Sequence, residues 1–85
     1  MITARQIRAA RALLGWFQET LADKALVSLT ALKRLESENG LKVHESTHDQ
    51  VRRALEENGI VFLSSDQGEG VMIVRKDRQG NVQRA

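Results

Sequence analysis

The run His44-Glu45-Ser46-Thr47-His48 matches a catalytic signature, the H-E-x-x-H of zinc hydrolases. That signature works on a helix, where histidines four residues apart share a face and the glutamate between them can serve as base. The neighbouring residues argue against this geometry. Thr47 with Gln50 has the spacing of a capping box, so the sequence predicts a helix that opens at Thr47 and leaves His44 in a loop. The chain has two histidines and no cysteine, so no third ligand of either type and no thiolate nucleophile is present. Eighty-five residues also leave little room for a substrate cleft. The sequence therefore predicts no catalytic residue, no metal and no cofactor.

Charge is a second route to function. Thirteen Lys and Arg against eleven Asp and Glu give a net +2, too balanced to announce a polyanionic partner. The first eighteen residues nevertheless carry Arg5, Arg8 and Arg11 and no acid, which reads first as a solvated helix face. Apolar runs stay far below the roughly 18 residues of a membrane span, and MITARQIRAA lacks a signal-peptide core. With cysteine absent, the expectation is a cytoplasmic protein with no membrane partner. The length suits one domain whose thin core leaves stability marginal or shared with a second subunit.

The elements follow from periodicity. Thr3 and Gln6 form a capping box for a first helix, with Ile7, Ala10, Leu13 and Leu14 inward and Gly15 as its stop. A second helix spans about Gln18 to Ala25, with Leu21, Ala22 and Ala25 inward. A third starts at the cap Ser28 and runs to about Ser37, turning Ala31, Leu32 and Leu35 inward. Thr30, Lys33, Arg34 and Ser37 then fall on its opposite face, with Leu29 at the edge. Asn39-Gly40 marks a turn, and the fourth helix runs from Thr47 to about Asn58 with Val51, Ala54 and Leu55 inward and Gly59 beyond its end. Trp16 packs at the corner of the first two helices, and Arg52 and Arg53 read as a solvated face. The period then changes. Ile60-Val61-Phe62-Leu63 and Val71-Met72-Ile73-Val74, joined by the polar segment Ser64 to Gly70, signal a β-hairpin. The expected class is mainly α (α+β), one domain over residues 1–75 with helices within 1–59 and a hairpin at 60–75. A polar tail, 76–85, is expected to be disordered.

The stretch LGWFQETLADKALVSLTALKRLE, Leu14 to Glu36, resembles the Cro and phage-repressor (XRE-type) helix-turn-helix family. The family pattern places a Gln at the start of helix 2, then Leu-Ala, a tight turn, Val-Ser, an apolar residue four on and a closing Glu. Here these are Gln18, Leu21-Ala22, Val27-Ser28, Leu32 and Glu36. The flanking segment Arg52 to Ile60 and the hairpin extend the likeness to about residues 3–75. The resemblance implies a four- to five-helix lambda-repressor-like domain that regulates transcription by binding double-stranded DNA, with the third helix in the major groove. It implies that Gln18 contacts a phosphate and that Ser28, Leu29, Thr30, Lys33 and Arg34 sit at or near the groove. Arg34 suits guanine, since its fork can bond O6 and N7 together. Arg11 and Glu36 match a structural ion pair of the family. Lys42, in the loop after the third helix, is either a further phosphate contact or simply solvated.

Three positions depart from the pattern. Phe17 replaces the usual Ser or Thr cap, Leu26 occupies a turn position that favours Gly, and Leu29 stands where polar base-reading residues are common. Leu29 could touch a thymine methyl. Together the three could instead form an apolar patch for a protein partner, the anti-activator or antitoxin-like alternative to DNA reading. The hairpin adds an expectation of its own. Ile60, Val61, Phe62, Leu63, Val71, Met72, Ile73 and Val74 are apolar at successive positions, so both sheet faces are apolar. One face can cover the helices, and the other then calls for a second subunit that covers it or pairs with its edge. A two-fold homodimer through the hairpin would place two recognition helices about 34 Å apart.

Overall fold

The computed structural model describes residues 2–37 and 43–74, and they form four helices followed by a two-stranded antiparallel hairpin. The helices are α1 (Ala4–Leu14), α2 (Gln18–Ala25), α3 (Leu29–Leu35) and α4 (Glu45–Glu57), and the strands are β1 (Ile60–Ser65) and β2 (Gly68–Ile73). The core is one cluster of small and branched apolar residues. Ile7 and Ala10 of α1, Leu21, Ala22 and Ala25 of α2, Leu32 of α3, Val51, Ala54 and Leu55 of α4 and Ile60 of β1 are all buried. Trp16, Leu14, Val27 and Phe62 pack against this cluster from outside. No helix among the described residues is long and apolar enough to cross a membrane.

Local chemistry explains most of the boundaries. The capping box of α1 is complete: Gln6 N–H donates to Thr3 Oγ1 at 3.2 Å and Thr3 N–H to Gln6 Oε1 at 2.9 Å. Gly15 ends α1 in the left-handed region, at φ 71°. Ser28 caps α3 by accepting from the Ala31 N–H.

Four expectations need correction. Helix α4 begins at Glu45 with His44 as its extended N-cap, so Thr47 lies inside the first turn and caps nothing. Its first turn therefore buries His48, whose Nε2 lies 3.2 Å from the Ile2 carbonyl oxygen and ties the N-terminal segment to α4. Helix α3 stops at Leu35 with Glu36 as its C-cap, whose N–H still donates to Leu32 O at 2.9 Å while its side chain pairs with Arg11. Leu13 is 46% exposed, since Ile7 and Ala10 already fill the inward stripe of α1. The strands reach further toward the tip than the apolar runs, to Ser65 and from Gly68, leaving Asp66-Gln67 as the turn. Asn39, Gly40, Lys42 and the tail 76–85 lie outside the described residues.

The hairpin is fixed to the helices from two sides. Gln6, 4% exposed, donates from Nε2 to the carbonyls of Leu63 at 3.0 Å and Gly70 at 2.9 Å, bridging the two strands at a cross-strand pair. Thr3 Oγ1 donates to Glu69 Oε2 at 2.8 Å. At the other end Val74 N–H donates to Gly59 O at 2.7 Å. Gly59 sits at φ 96°, and a Cβ there would lie 3.0 Å from the Val74 carbonyl oxygen, so only glycine allows the strand to return this close to the end of α4.

Candidate nucleic-acid interface

Helices α2 and α3 are joined by three residues, Leu26, Val27 and Ser28. The corner is a Schellman closure. Val27 N–H donates to Ala22 O at 3.0 Å and Leu26 N–H to Asp23 O at 3.3 Å, which satisfies carbonyls at the end of α2. Leu26 holds the left-handed conformation, φ 59°, that glycine usually supplies, the one non-glycine residue to do so among those described. The leucine therefore does not straighten the two helices into one. Its side chain is 83% exposed and gains nothing from the core.

Behind this corner lies a buried charged cluster. Glu36, 4% exposed, accepts from Arg11 Nε at 2.8 Å and Arg11 Nη2 at 2.9 Å, a two-pronged pair, and from Gln18 Nε2 at 3.0 Å. Arg11 also donates from Nη1 to the Trp16 carbonyl, and Arg8 from Nη1 to the Glu36 carbonyl. One carboxylate thus ties α1, the start of α2 and the end of α3 together. The pairing of Arg11 with Glu36 matches the expected structural ion pair. Arg8 and Arg11 are fasteners of the fold, not the solvated face that charge alone suggested. Gln18 spends one amide hydrogen on Glu36, and its second is the one that could reach an outside acceptor.

The outer face of α3 is where periodicity places it. Ser28, Thr30, Lys33 and Arg34 are exposed, and Lys33 and Arg34 carry no ion pair among the described residues. Arg34 borders a hollow of about 240 Å³ lined also by Ala31, Val43, His44 and Thr47, between α3 and the start of α4. Leu29 is half-buried and packs against the core, so it lends less to that face than its spacing suggested. Phe17, the N-cap of α2, offers no side-chain bond to the helix and is 76% exposed. Trp16 is half-buried, with Lys24 Nζ 5.9 Å from its ring centre. Arg52 is exposed beside Asp49 at 3.7 Å, as a solvated helix face would be.

The H-E-x-x-H residues do not converge. His44 is exposed at the cap while His48 is buried against Ile2, and no group of three or more His, Cys, Asp or Glu among the described residues could hold a metal. Sequence reasoning missed Gln6 and His48 as buried polar anchors. It also missed Gln50, whose Nε2 donates to Ala25 O at 3.3 Å and ties α4 to the end of α2. Polarity hid Gln6 and His48, because a pattern search assigns polar residues to the surface. No family model matches the chain, and neither does any curated protein or solved structure.

Proposed function

We propose that this protein is a sequence-specific DNA-binding regulator of transcription of the Cro and phage-repressor type, acting as a dimer with α3 in the major groove. The observation that carries the reading is the braced corner. Two short helices meet at a three-residue turn, an Arg11–Glu36–Gln18 cluster built on the buried Glu36 locks them, and the face of α3 left outside is polar and basic at Thr30, Lys33 and Arg34. A rigid short helix with its outer face free fits the width of the major groove, where donors and acceptors distinguish all four base pairs. Arg34 is the base-reading residue, and Thr30, Ser28 and Lys33 flank it. Gln18 would contact a phosphate through its second amide hydrogen.

Selection of the purified chain against random duplex DNA, followed by mobility shift at several salt concentrations, tests this reading. A single enriched site is expected, with affinity falling steeply as salt rises because neutralised phosphates release counterions. Arg34→Ala should weaken the selected site by about 1–3 kcal/mol and relax preference at one base pair. An unenriched pool refutes the reading.

A second reading has its own support. Among the described residues Phe17 and Leu26 are the two most exposed large apolar side chains, and both flank α2. A protein-binding module on the same scaffold would use them, and it would leave the Arg34→Ala variant fully active toward its partner.

A further inference from the structure

The junction between α4 and β1 holds the pair Asn58-Gly59, and an asparagine that precedes a glycine can react with its own backbone. The Gly59 nitrogen attacks Asn58 Cγ, the Cγ–Nδ2 bond breaks, and Nδ2 leaves as ammonia with the Gly59 amide proton. A five-membered succinimide remains. Water then opens the ring on either side. Attack at Cγ gives an ordinary aspartyl residue, and attack at the main-chain carbonyl gives an isoaspartyl residue whose chain runs through Cβ and Cγ. Glycine favours ring closure because no Cβ crowds its nitrogen.

Three features of the fold keep the reacting atoms apart. Asn58 Nδ2 donates to Ala54 O at 2.8 Å, so the leaving group is anchored to α4. Gly59 N–H donates to Glu56 O at 3.1 Å, so the nucleophile is engaged at the end of the same helix. The Asn58 ψ of 21° nearly eclipses the Gly59 nitrogen with Asn58's own nitrogen and turns it away from the side chain. That torsion cannot turn alone. Ile60, the next residue along, is 2% exposed in the core, and Gly59 O accepts from Val74 N–H at 2.7 Å. Ring closure therefore waits for the end of the hairpin to come off α4.

We infer that Asn58-Gly59 is a self-modification site, latent while the hairpin is docked and reactive when the α4–β1 junction opens, and that its products keep the hairpin loose. The aspartyl carboxylate replaces the Nδ2 donor and faces the Ala54 carbonyl with no hydrogen to offer. It also follows Glu56 and Glu57 at a helix end with no basic residue in its last turn, where the macrodipole already disfavours negative charge. The isoaspartyl product adds one main-chain atom ahead of Gly59. Even a Cβ on Gly59 would lie 3.0 Å from the Val74 carbonyl oxygen, so the longer chain displaces that contact. Either product weakens the seam between helices and hairpin and leaves the Arg11–Glu36–Gln18 cluster, which shares no residue with it, in place. This chemistry is independent of which partner the domain takes.

The chain carries its own reference for the test, because Glu38-Asn39-Gly40-Leu41 nearly repeats Glu57-Asn58-Gly59-Ile60, and trypsin places the two asparagines in separate peptides, 35–42 and 54–75. The full chain is incubated in mildly alkaline buffer or in concentrated urea, digested, and read by mass spectrometry, with an isoaspartyl carboxyl methyltransferase marking the isoaspartyl form. In urea the two asparagines should react at rates within about twofold of each other. In buffer Asn58 should react at least about tenfold more slowly than in urea, since the reactive state is reached only by local opening. Val74→Pro removes the N–H that holds Gly59 O and should speed the reaction at Asn58 about fivefold or more, with the helical circular dichroism retained. Gln6→Met, which frees the hairpin from α1 instead, should act in the same direction. Reacted protein should exchange amide hydrogens faster than fresh protein in β1 and β2, and at the same rate in α2 and α3. Reaction at Asn58 as fast in buffer as in urea overturns the inference. So do wild-type rates in both variants, and so does reacted protein whose hairpin exchanges as the fresh hairpin does.

Discussion

Glu36 and Arg11 should differ in what their loss costs, and the order is set by burial. The Glu36 side chain is 3% exposed and Arg11's is 22% exposed. Arg11→Ala strands a carboxylate that keeps one side-chain donor, Gln18. Glu36→Ala strands a guanidinium that keeps its bond to the Trp16 carbonyl and part of its hydration. Breaking a buried pair by removing one partner costs about 3–5 kcal/mol. Arg11→Ala belongs near the top of that range and Glu36→Ala near the bottom. A domain of this length has a total stability of about 4–13 kcal/mol, so either variant loses much of it. The pair itself contributes less than this suggests, because desolvation offsets most of the attraction. Arg11→Met/Glu36→Leu, which removes both charges and keeps volume, should therefore recover to within about 1–2 kcal/mol of wild type. Urea unfolding followed by Trp16 fluorescence measures all three, since Trp16 is the single tryptophan and borders the cluster. Protein concentration must be held fixed and low, so that any dimer linkage stays constant. Two results would refute the reasoning: losses under about 1 kcal/mol in both single variants, or a Glu36→Ala loss larger than that of Arg11→Ala.

The glycines at 15 and 59 should separate in the same assay. Gly15→Ala meets open space at φ 71° and should cost about 1 kcal/mol of backbone strain, whereas Gly59→Ala adds a close approach to the Val74 carbonyl and should cost about 2–3 kcal/mol. Gln6→Met should destabilise by about 1–2 kcal/mol through its lost bonds to Leu63, Gly70 and Thr3, and hydrogen exchange should quicken in the hairpin before it quickens in α2 and α3. Leu26→Gly should raise the melting temperature slightly: the relief of about 1–2 kcal/mol at φ 59° is offset in part by the freer unfolded chain, and a fall in melting temperature would mean that the leucine contributes packing after all.

The helices were legible because their signals are local. Thr3 with Gln6, Gly15 and Ser28 each act on backbone groups within a few residues, and all three hold their expected posts. Thr47 with Gln50 carries the same local signal and fails. Helix α4 gains two earlier residues, Glu45 and Ser46, by burying His48 against Ile2, a contact across 46 residues that spacing cannot foresee. The candidate site divides in the same way. Thr30, Lys33 and Arg34 follow from the period of one helix. The loss of Leu29 to the core, the diversion of a Gln18 hydrogen to Glu36 and the use of Arg8 as a brace all depend on which elements meet.

Leu26 carries two local penalties at once, a left-handed backbone and an exposed side chain, and nothing in the fold of one chain offsets either. A residue of this kind points to a partner or to neutral drift, and the two differ in what glycine does there. The conformation of the corner survives Leu26→Gly, because the Schellman bonds run from backbone to backbone and glycine prefers that geometry. If the chain is the proposed regulator, DNA selection by α3 survives too, with affinity within about threefold if Leu26 touches only solvent. A protein partner seated on Phe17 and Leu26 would lose the leucine's apolar contact, about 2 kcal/mol or some thirtyfold in affinity, while the domain itself became no less stable. One substitution thus separates the regulator from the interaction module: intact DNA selection by the glycine variant favours the former, and loss of a bound protein at unchanged stability favours the latter.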